Sequence, residues 1–232
     1  MSDERFPSSR RRLAIPLWIK VAYTAFMALM IPVYLRNYGI TNFLYFCDVA
    51  AVVTLVAMWM ESPLVLSAML VGAFIPQMLW VIDFMGELTG LFGLGLTAYM
   101  FNAESPFFLR FLSFFHFWLV FLLIYLVWRV GYDRRGLVLW IAIAWVLLTV
   151  CYAWMPPPSP VKDPVTGVQL RDPNLPANIN YVYGLKGEEV PQTWMEPNAY
   201  FALYMTTLMV GIYPVTHLLL RTFMPPAASG ST

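Results

Sequence analysis

Six stretches of this chain are long and apolar enough to cross a lipid bilayer, and they limit the fold more than any motif does. They occupy residues 13–35, 43–60, 63–85, 107–128, 136–155 and 199–223. A spanning helix needs about 20 mainly apolar residues. Within hydrocarbon each backbone N–H and C=O must be satisfied inside the segment or in a closed barrel, so runs of this length imply helices. The expected fold class is therefore all-α, a polytopic membrane bundle of about six transmembrane helices with a long extracytoplasmic loop before the last. Composition agrees. Of 232 residues, 60% are hydrophobic and 12% charged, whereas a soluble domain carries about a quarter of its residues as charges.

The punctuation supports these boundaries. Ser62 can cap the third helix, and Pro63 suits its first position, where no backbone N–H is needed. Ser105-Pro106 repeats that signal before the fourth helix, and Pro156-Pro157-Pro158 stops the fifth. Residues 84–104 include Gly90, Gly93 and Gly95 among apolar neighbours, which reads as an interfacial or re-entrant piece rather than a seventh span. The domain organisation is a basic segment 1–12, a transmembrane domain 13–223 with its loop at 156–198, and a small-residue tail 224–232 expected to be disordered. The basic segment leads directly into a full-length apolar run, so it reads as a signal anchor rather than a cleaved peptide.

Orientation follows from the basic residues of short loops. Arg5, Arg10, Arg11 and Arg12 precede the first span, Arg129, Arg134 and Arg135 flank the fourth connection, and Arg221 ends the last helix. With six spans these share one side, so both termini are expected in the cytoplasm and the chain in the cell (inner) membrane. Lys20 can snorkel to the same side.

Several function classes are disfavoured. A net charge of +1 offers no broad basic face for nucleic acid. Two cysteines and two histidines rule out a disulfide framework and leave little material for a metal centre or a haem pair, so no metal and no cofactor is expected. Membrane lipid is the expected partner.

Polar residues within spans are costly and are the first candidates for function. On the six-span topology Cys47 lies roughly 6–8 Å below the start of the second helix, His116 roughly 14 Å into the fourth and Gln77 roughly 9 Å below Asp83. Asp48 neighbours Cys47. The loop carrying Asn178, Asn180 and Tyr181 is on the same outer side. A cysteine and a histidine on facing helices suffice for nucleophilic acyl transfer, with the imidazole taking the thiol proton. Asn180 or Tyr181 could orient the imidazole or donate to an oxyanion.

The same residues admit structural roles. Cys47 is read equally as a small packing residue, His116 as a hydrogen-bond link to a neighbouring helix and Asp48 as an acid paired with Arg110. Gln77 is read as interhelical glue and His217 as structural. A Cys47–Cys151 disulfide is the further alternative, at similar depths on an oxidising side.

Phe46-Cys47-Asp48, Phe114-Phe115-His116, Gln77 and Asn180-Tyr181-Val182-Tyr183 together resemble, in order and spacing, the YwaF-like integral membrane family, which includes the animal transmembrane protein 164. The resemblance covers the chain from about residue 42 to the last helix. It implies a cysteine acyltransferase-like site that moves a fatty acyl chain between phospholipids, with Cys47 as nucleophile, His116 as base and Asn180 with Tyr181 as supporting polar groups. Tyr45 departs from the family pattern, as do the length of 84–104 and the Met195-Glu196-Pro197-Asn198 entry to the last helix. The expected function is a cysteine-dependent acyltransferase or lipid hydrolase acting on phospholipid acyl esters. The rival readings are a small-molecule permease, a subunit of a membrane complex, and a structural bundle whose outer loop binds a ligand. In a permease Asp48, Asp83, Arg110 and His116 would line a polar path.

Overall fold

The computed structural model describes residues 14–103, 105–172 and 175–227. The basic segment 1–12 and most of the tail 224–232 lie outside the described residues. Helix α1 (Leu17–Tyr38) leads through a 3₁₀ turn (Ile40–Leu44) to α2 (Phe46–Trp59), and α3 (Pro63–Thr89) follows. A short α4 (Ala98–Phe101) precedes α5 (Phe107–Ser113) and α6 (Phe115–Val130), which form one span. Then come α7 (Gly136–Trp154), a 3₁₀ turn at Ile179–Tyr181, and a last span made of α8 (Pro197–Thr206), a π-helical segment (Thr207–Ile212) and α9 (Tyr213–Phe223). The protein is a helical membrane bundle. Five of its helical stretches are long and apolar enough to cross a bilayer, and α2 is a shorter apolar helix.

The shortness of α2 differs from the expected 43–60. Its 14 residues rise about 21 Å, against a hydrocarbon core of about 30 Å. The preceding residues are spent on the 3₁₀ turn, closed by Tyr45 N donating to Asn42 O (3.1 Å), and Tyr45 itself is extended. The N-terminus of α2 is thus set back from that end of the bundle, with the turn folded above it.

Two ends can be distinguished. At the basic end Lys20 Nζ meets Glu61 Oε1 at 2.7 Å, and Ile15 N donates to the same oxygen at 3.0 Å. Arg129 donates to the Ala14 carbonyl. Tyr132 N donates to Pro225 O (2.7 Å) and Ala227 N to Tyr132 O (3.0 Å), so both ends of the described chain lie here. The other end gathers 39–45, 90–103, 105–106, 155–172 and 175–196.

Caps explain several boundaries. Ser62 accepts from Val65 N at 3.4 Å with Pro63 at the first position of α3. Ser105-Pro106 does not repeat this arrangement. Pro106 itself precedes α5 and no side chain caps it. Glu196 caps α8 through Asn198 N (2.8 Å) and Ala199 N (3.1 Å), so the last span starts earlier than 199. Helix α3 runs on to Thr89 and stops at Gly90, whose φ of 69° suits glycine.

Helix α3 is central and buried on nearly every side from Leu66 to Ala73. Small residues bring α7 against it. A Cβ on Gly72 would lie 1.9 Å from Cε2 of Trp140, and one on Gly136 would lie 2.8 Å from Ala68 N. Such close approach supplies the van der Waals contact that holds membrane helices together, because apolar burial alone gains little among lipid tails.

Candidate functional site

The site forms where α2 begins. Cys47 and Asp48 fall in the first turn of α2. Cys47 is a free, half-buried thiol, and its Sγ approaches Asp48 Oδ2 at 3.9 Å. Asp48 is 3% exposed. Its Oδ2 also accepts from Asn42 Nδ2 at 3.1 Å, while Oδ1 is buried without a partner. The carboxyl is held on one edge and open on the other.

The outer loop is pinned to this helix start. Asn180 Oδ1 accepts from Phe46 N at 2.9 Å, and Asn180 Nδ2 donates to Leu44 O at 2.8 Å. Helix α2 lacks a side-chain cap of its own, so an amide 134 residues away fills that role. Asn178 shapes the loop by donating to Gly184 O and Gly187 O, each at 2.8 Å, and accepting from Tyr183 N at 2.9 Å. Asn178, Asn180 and Tyr181 all have φ between 49° and 60°. Asparagine tolerates that region better than most residues, and tyrosine does not. The Tyr181 carbonyl is held by Tyr200 OH at 3.2 Å. Burial raises the Tyr181 hydroxyl pKa, and the ionisable groups of Cys47 and Glu188 add to that rise. A second tie runs from Tyr45 OH to Glu188 Oε1 (3.1 Å), with Arg171 Nη2 on Glu188 Oε2 at 3.3 Å. Burial pushes the Glu188 carboxyl up, and the Tyr45 bond and the Arg171 charge pull it partly back.

His116 lies across the bundle. Its Nδ1 bonds the Ser113 carbonyl at 2.8 Å, which as a donor leaves Nε2 as the basic nitrogen. The ring stacks on Trp80 at 5.3 Å. Among the described residues no hydrogen bond joins His116 to Cys47, and the group nearest the thiol is Asp48. Neighbour relations connect the two sides. Ser113 Oγ meets Tyr34 OH at 2.8 Å, and Tyr34 packs edge to face on Tyr38 at 5.2 Å. Trp80 Nε1 donates to Tyr99 OH at 3.3 Å. Burial raises the Tyr99 hydroxyl pKa, with Cys47, Tyr38 and Asp48 adding to it.

Other expected residues fare differently. Asp83 is fully buried, but its carboxylate is spent on Leu94 N, Thr97 N (2.8 Å) and Thr97 Oγ1 (2.9 Å). It clamps the glycine-rich 90–97 segment and lines no path. The expected Asp48–Arg110 pair does not form. Arg110 Nη1 donates to the Met100 carbonyl at 3.0 Å. Gln77 is 2% exposed, and neither amide atom has a partner, so it does not bond a neighbouring helix as expected. The Cys47–Cys151 disulfide does not form either. Both thiols are free, and Cys151 Sγ lies 3.6 Å from Asn180 Nδ2. His217 bonds Tyr132 OH at 2.8 Å at the basic end, in keeping with a structural role. Among the described residues no three His, Cys, Asp or Glu side chains gather as a metal-ligand set.

The sequence reading missed Asn42, Tyr34, Tyr38, Tyr45, Tyr99, Ser113 and Glu188. Asn42 was legible, being a polar residue six positions before an intramembrane acid. The tyrosines were not, because tyrosines near span ends are ordinary membrane-interface residues. No family model, curated protein or solved structure matches this chain.

Proposed function

We propose that this membrane protein is a cysteine-dependent acyl-transfer enzyme acting on lipid acyl esters, with Cys47 as the nucleophile. The observation that carries this reading is a half-buried free thiol at the first turn of a helix, beside a buried carboxyl with one oxygen unpartnered. A helix N-terminus favours negative charge on a thiolate, and a carboxylate in reach can take the thiol proton. Asp48 is the near acceptor. In the first step its carboxylate takes the Cys47 proton as sulfur attacks the ester carbonyl. The C–S bond forms, the C–O bond breaks, and the proton passes from Asp48 to the departing alcohol. His116, whose Nε2 is the basic nitrogen when Nδ1 donates to the Ser113 carbonyl, is the second acceptor.

The test is covalent trapping. Purified protein in mild detergent is incubated with phosphatidylcholine carrying a labelled acyl chain, then assayed for label released by hydroxylamine. Label on wild type that is absent from Cys47→Ala is expected. Loss in Asp48→Asn with retention in His116→Ala would assign the proton to Asp48, and the reverse would assign it to His116. A wild-type protein that takes up no label from any of several lipid classes refutes the reading.

A further inference from the structure

Asp48 on α2 and Gln77 on α3 carry buried polar atoms that the acyl transfer does not use, and their chemistry identifies a ligand. Asp48 Oδ1 and both amide atoms of Gln77 are buried and unpartnered, and such groups are costly unless something meets them. Two counts put Gln77 at about the depth of Asp48 and on the face of α3 that meets α6. The α2–α3 hairpin turns at 60–62, so Asp48 lies about 18 Å above the turn and Gln77 about 22 Å at 1.5 Å per residue. Gln77 is also three positions before Trp80, hence on nearly the same helix face, and Trp80 carries the His116 ring.

The unpartnered acceptors are Asp48 Oδ1 and Gln77 Oε1, and the donors of this end, the Gln77 amide N–H₂ and the tyrosine hydroxyls, are neutral and supply no positive charge. No ion pair forms at Asp48 among the described residues. Arg110 is turned to the Met100 carbonyl, and Lys20 is at the opposite end on Glu61. A phosphate would find no cation here. The same end of the bundle is rich in aromatic rings: Tyr34 and Tyr38 pack edge to face at 5.2 Å, and Trp80 Nε1 donates to Tyr99 OH at 3.3 Å. An unpaired buried carboxyl beside several aromatic rings is the chemistry that holds an organic cation.

We propose that this site binds a primary alkylammonium group, with Asp48 Oδ1 and Gln77 Oε1 accepting its N–H bonds. The unpartnered acceptors favour N–H donors over a quaternary nitrogen, which has none. Resting on the acyl-transfer reading, the bound amine is the acyl acceptor. It gives one proton to the Asp48 carboxylate, and its nitrogen attacks the Cys47 thioester carbonyl. The C–N bond forms, the C–S bond breaks, and the leaving thiolate takes the second proton from nitrogen. The products are an amide and the free thiol, and the Asp48 proton leaves to water. The same ammonium chemistry is available from a free amine or from an aminophospholipid headgroup.

The test has two arms, both on the full chain in nanodiscs. Propylammonium chloride is titrated against tryptophan fluorescence in discs of phosphatidylglycerol, with 1-propanol as the neutral isostere. Saturable binding of the ammonium, at least tenfold weaker in Asp48→Asn and severalfold weaker in Gln77→Met, is expected. Equal binding of 1-propanol, or binding unaltered in both Asp48→Asn and Gln77→Met, overturns the site. In the second arm labelled acyl donor is supplied with propylammonium, or in discs containing phosphatidylethanolamine, and hydroxylamine-resistant amide is sought. Amide with propylammonium alone assigns a free amine, and amide from phosphatidylethanolamine discs alone assigns the lipid headgroup. Either supports the proposal. A Cys47 thioester that yields no amide from either source overturns the acceptor role and leaves acyl transfer standing. Asp48-dependent ammonium binding without any thioester overturns acyl transfer and leaves the site standing.

Discussion

Replacing Asn180 tests whether a distant loop sets the start of α2. In Asn180→Ala the two hydrogen bonds to backbone disappear, to Phe46 N at 2.9 Å and Leu44 O at 2.8 Å, along with the weaker one to Cys151 Sγ at 3.6 Å. Both backbone groups then sit beneath a loop where Ile179 and Val182 are fully buried, so water does not readily replace the lost partner. A buried backbone group left unpaired costs about 1–3 kcal/mol. Alanine at φ 57° costs about 1–2 kcal/mol more. At the low end of each range the sum is about 3 kcal/mol, which for a chain of this length lowers Tm by about 6–12 °C. Asn180→Gly loses the same two bonds without the backbone cost, so it should be milder by about 1–2 kcal/mol. Thermal unfolding in mild detergent, followed by tryptophan fluorescence, measures both. Because Asn180 pins the loop over the helix start that carries Cys47, Cys47 should also react faster with a membrane-permeant maleimide in either variant. An Asn180→Ala protein melting within about 1 °C of wild type, with unchanged Cys47 reactivity, would refute the argument. Equal melting of the alanine and glycine variants would refute its backbone part alone.

Glu61 gives a pH signature at the basic end. Burial acts to raise its pKa, but the Lys20 bond and the Ile15 amide outweigh it and the carboxyl is lowered. A lowered carboxyl stabilises the fold above its unfolded value of about 4.3 and loses that contribution as pH falls through the folded value. Wild type should therefore lose melting temperature between about pH 5 and 3 more steeply than Glu61→Gln, and parallel profiles would contradict the assignment. Gly72→Ala should unfold or fail to assemble because its Cβ meets the Trp140 ring at 1.9 Å, at a cost of about 1–3 kcal/mol or more. Adding Trp140→Leu should recover part of the loss, and a fully stable Gly72→Ala would show that α7 does not pack there. In a Cys47→Ala, Cys151→Ala background, an impermeant maleimide should label Thr166→Cys but not Arg134→Cys in right-side-out vesicles, as the arginine asymmetry implies. The opposite pattern would invert the topology.

The spans were legible because a long apolar run in a bilayer has essentially one solution, a helix. Where the prediction missed, the deciding residue lay elsewhere in the chain. Nothing in Phe43-Leu44-Tyr45 distinguishes it from the span it precedes. The start of α2 at Phe46 depends on Asn180, which only the folded loop brings near. The π-helical segment 207–212 is similarly silent, since its composition continues the apolar run on either side. The site was legible as a depth and not as a geometry. Helix rise placed Cys47, Asp48, Gln77 and His116 in one half of the bundle, but rotation about each axis and the fate of each polar atom are set by packing between helices.

The Asp48–Arg110 pair shows why charge complementarity misled at that point. Both residues belong to the same end of the bundle, and an intramembrane acid is expected to find a base. Arg110, however, follows closely on the 90–103 segment, and the Met100 carbonyl takes its guanidinium first. That segment is in turn held in place by Asp83, through the amides of Leu94 and Thr97. One acid thus organises the loop that removes the other acid's natural counterion. Asp48 is left with an oxygen unpaired and a thiol at its side. Asp48 and Asp83 do opposite work, and Asp83→Asn distinguishes them. With its clamp weakened the 90–97 segment should loosen, freeing Arg110 to reach Asp48. Propylammonium binding should then fall although no residue of the site has changed, and Asp83→Asn, Arg110→Gln should recover it. If the single variant binds as wild type does, the clamp does not control the charge of the site.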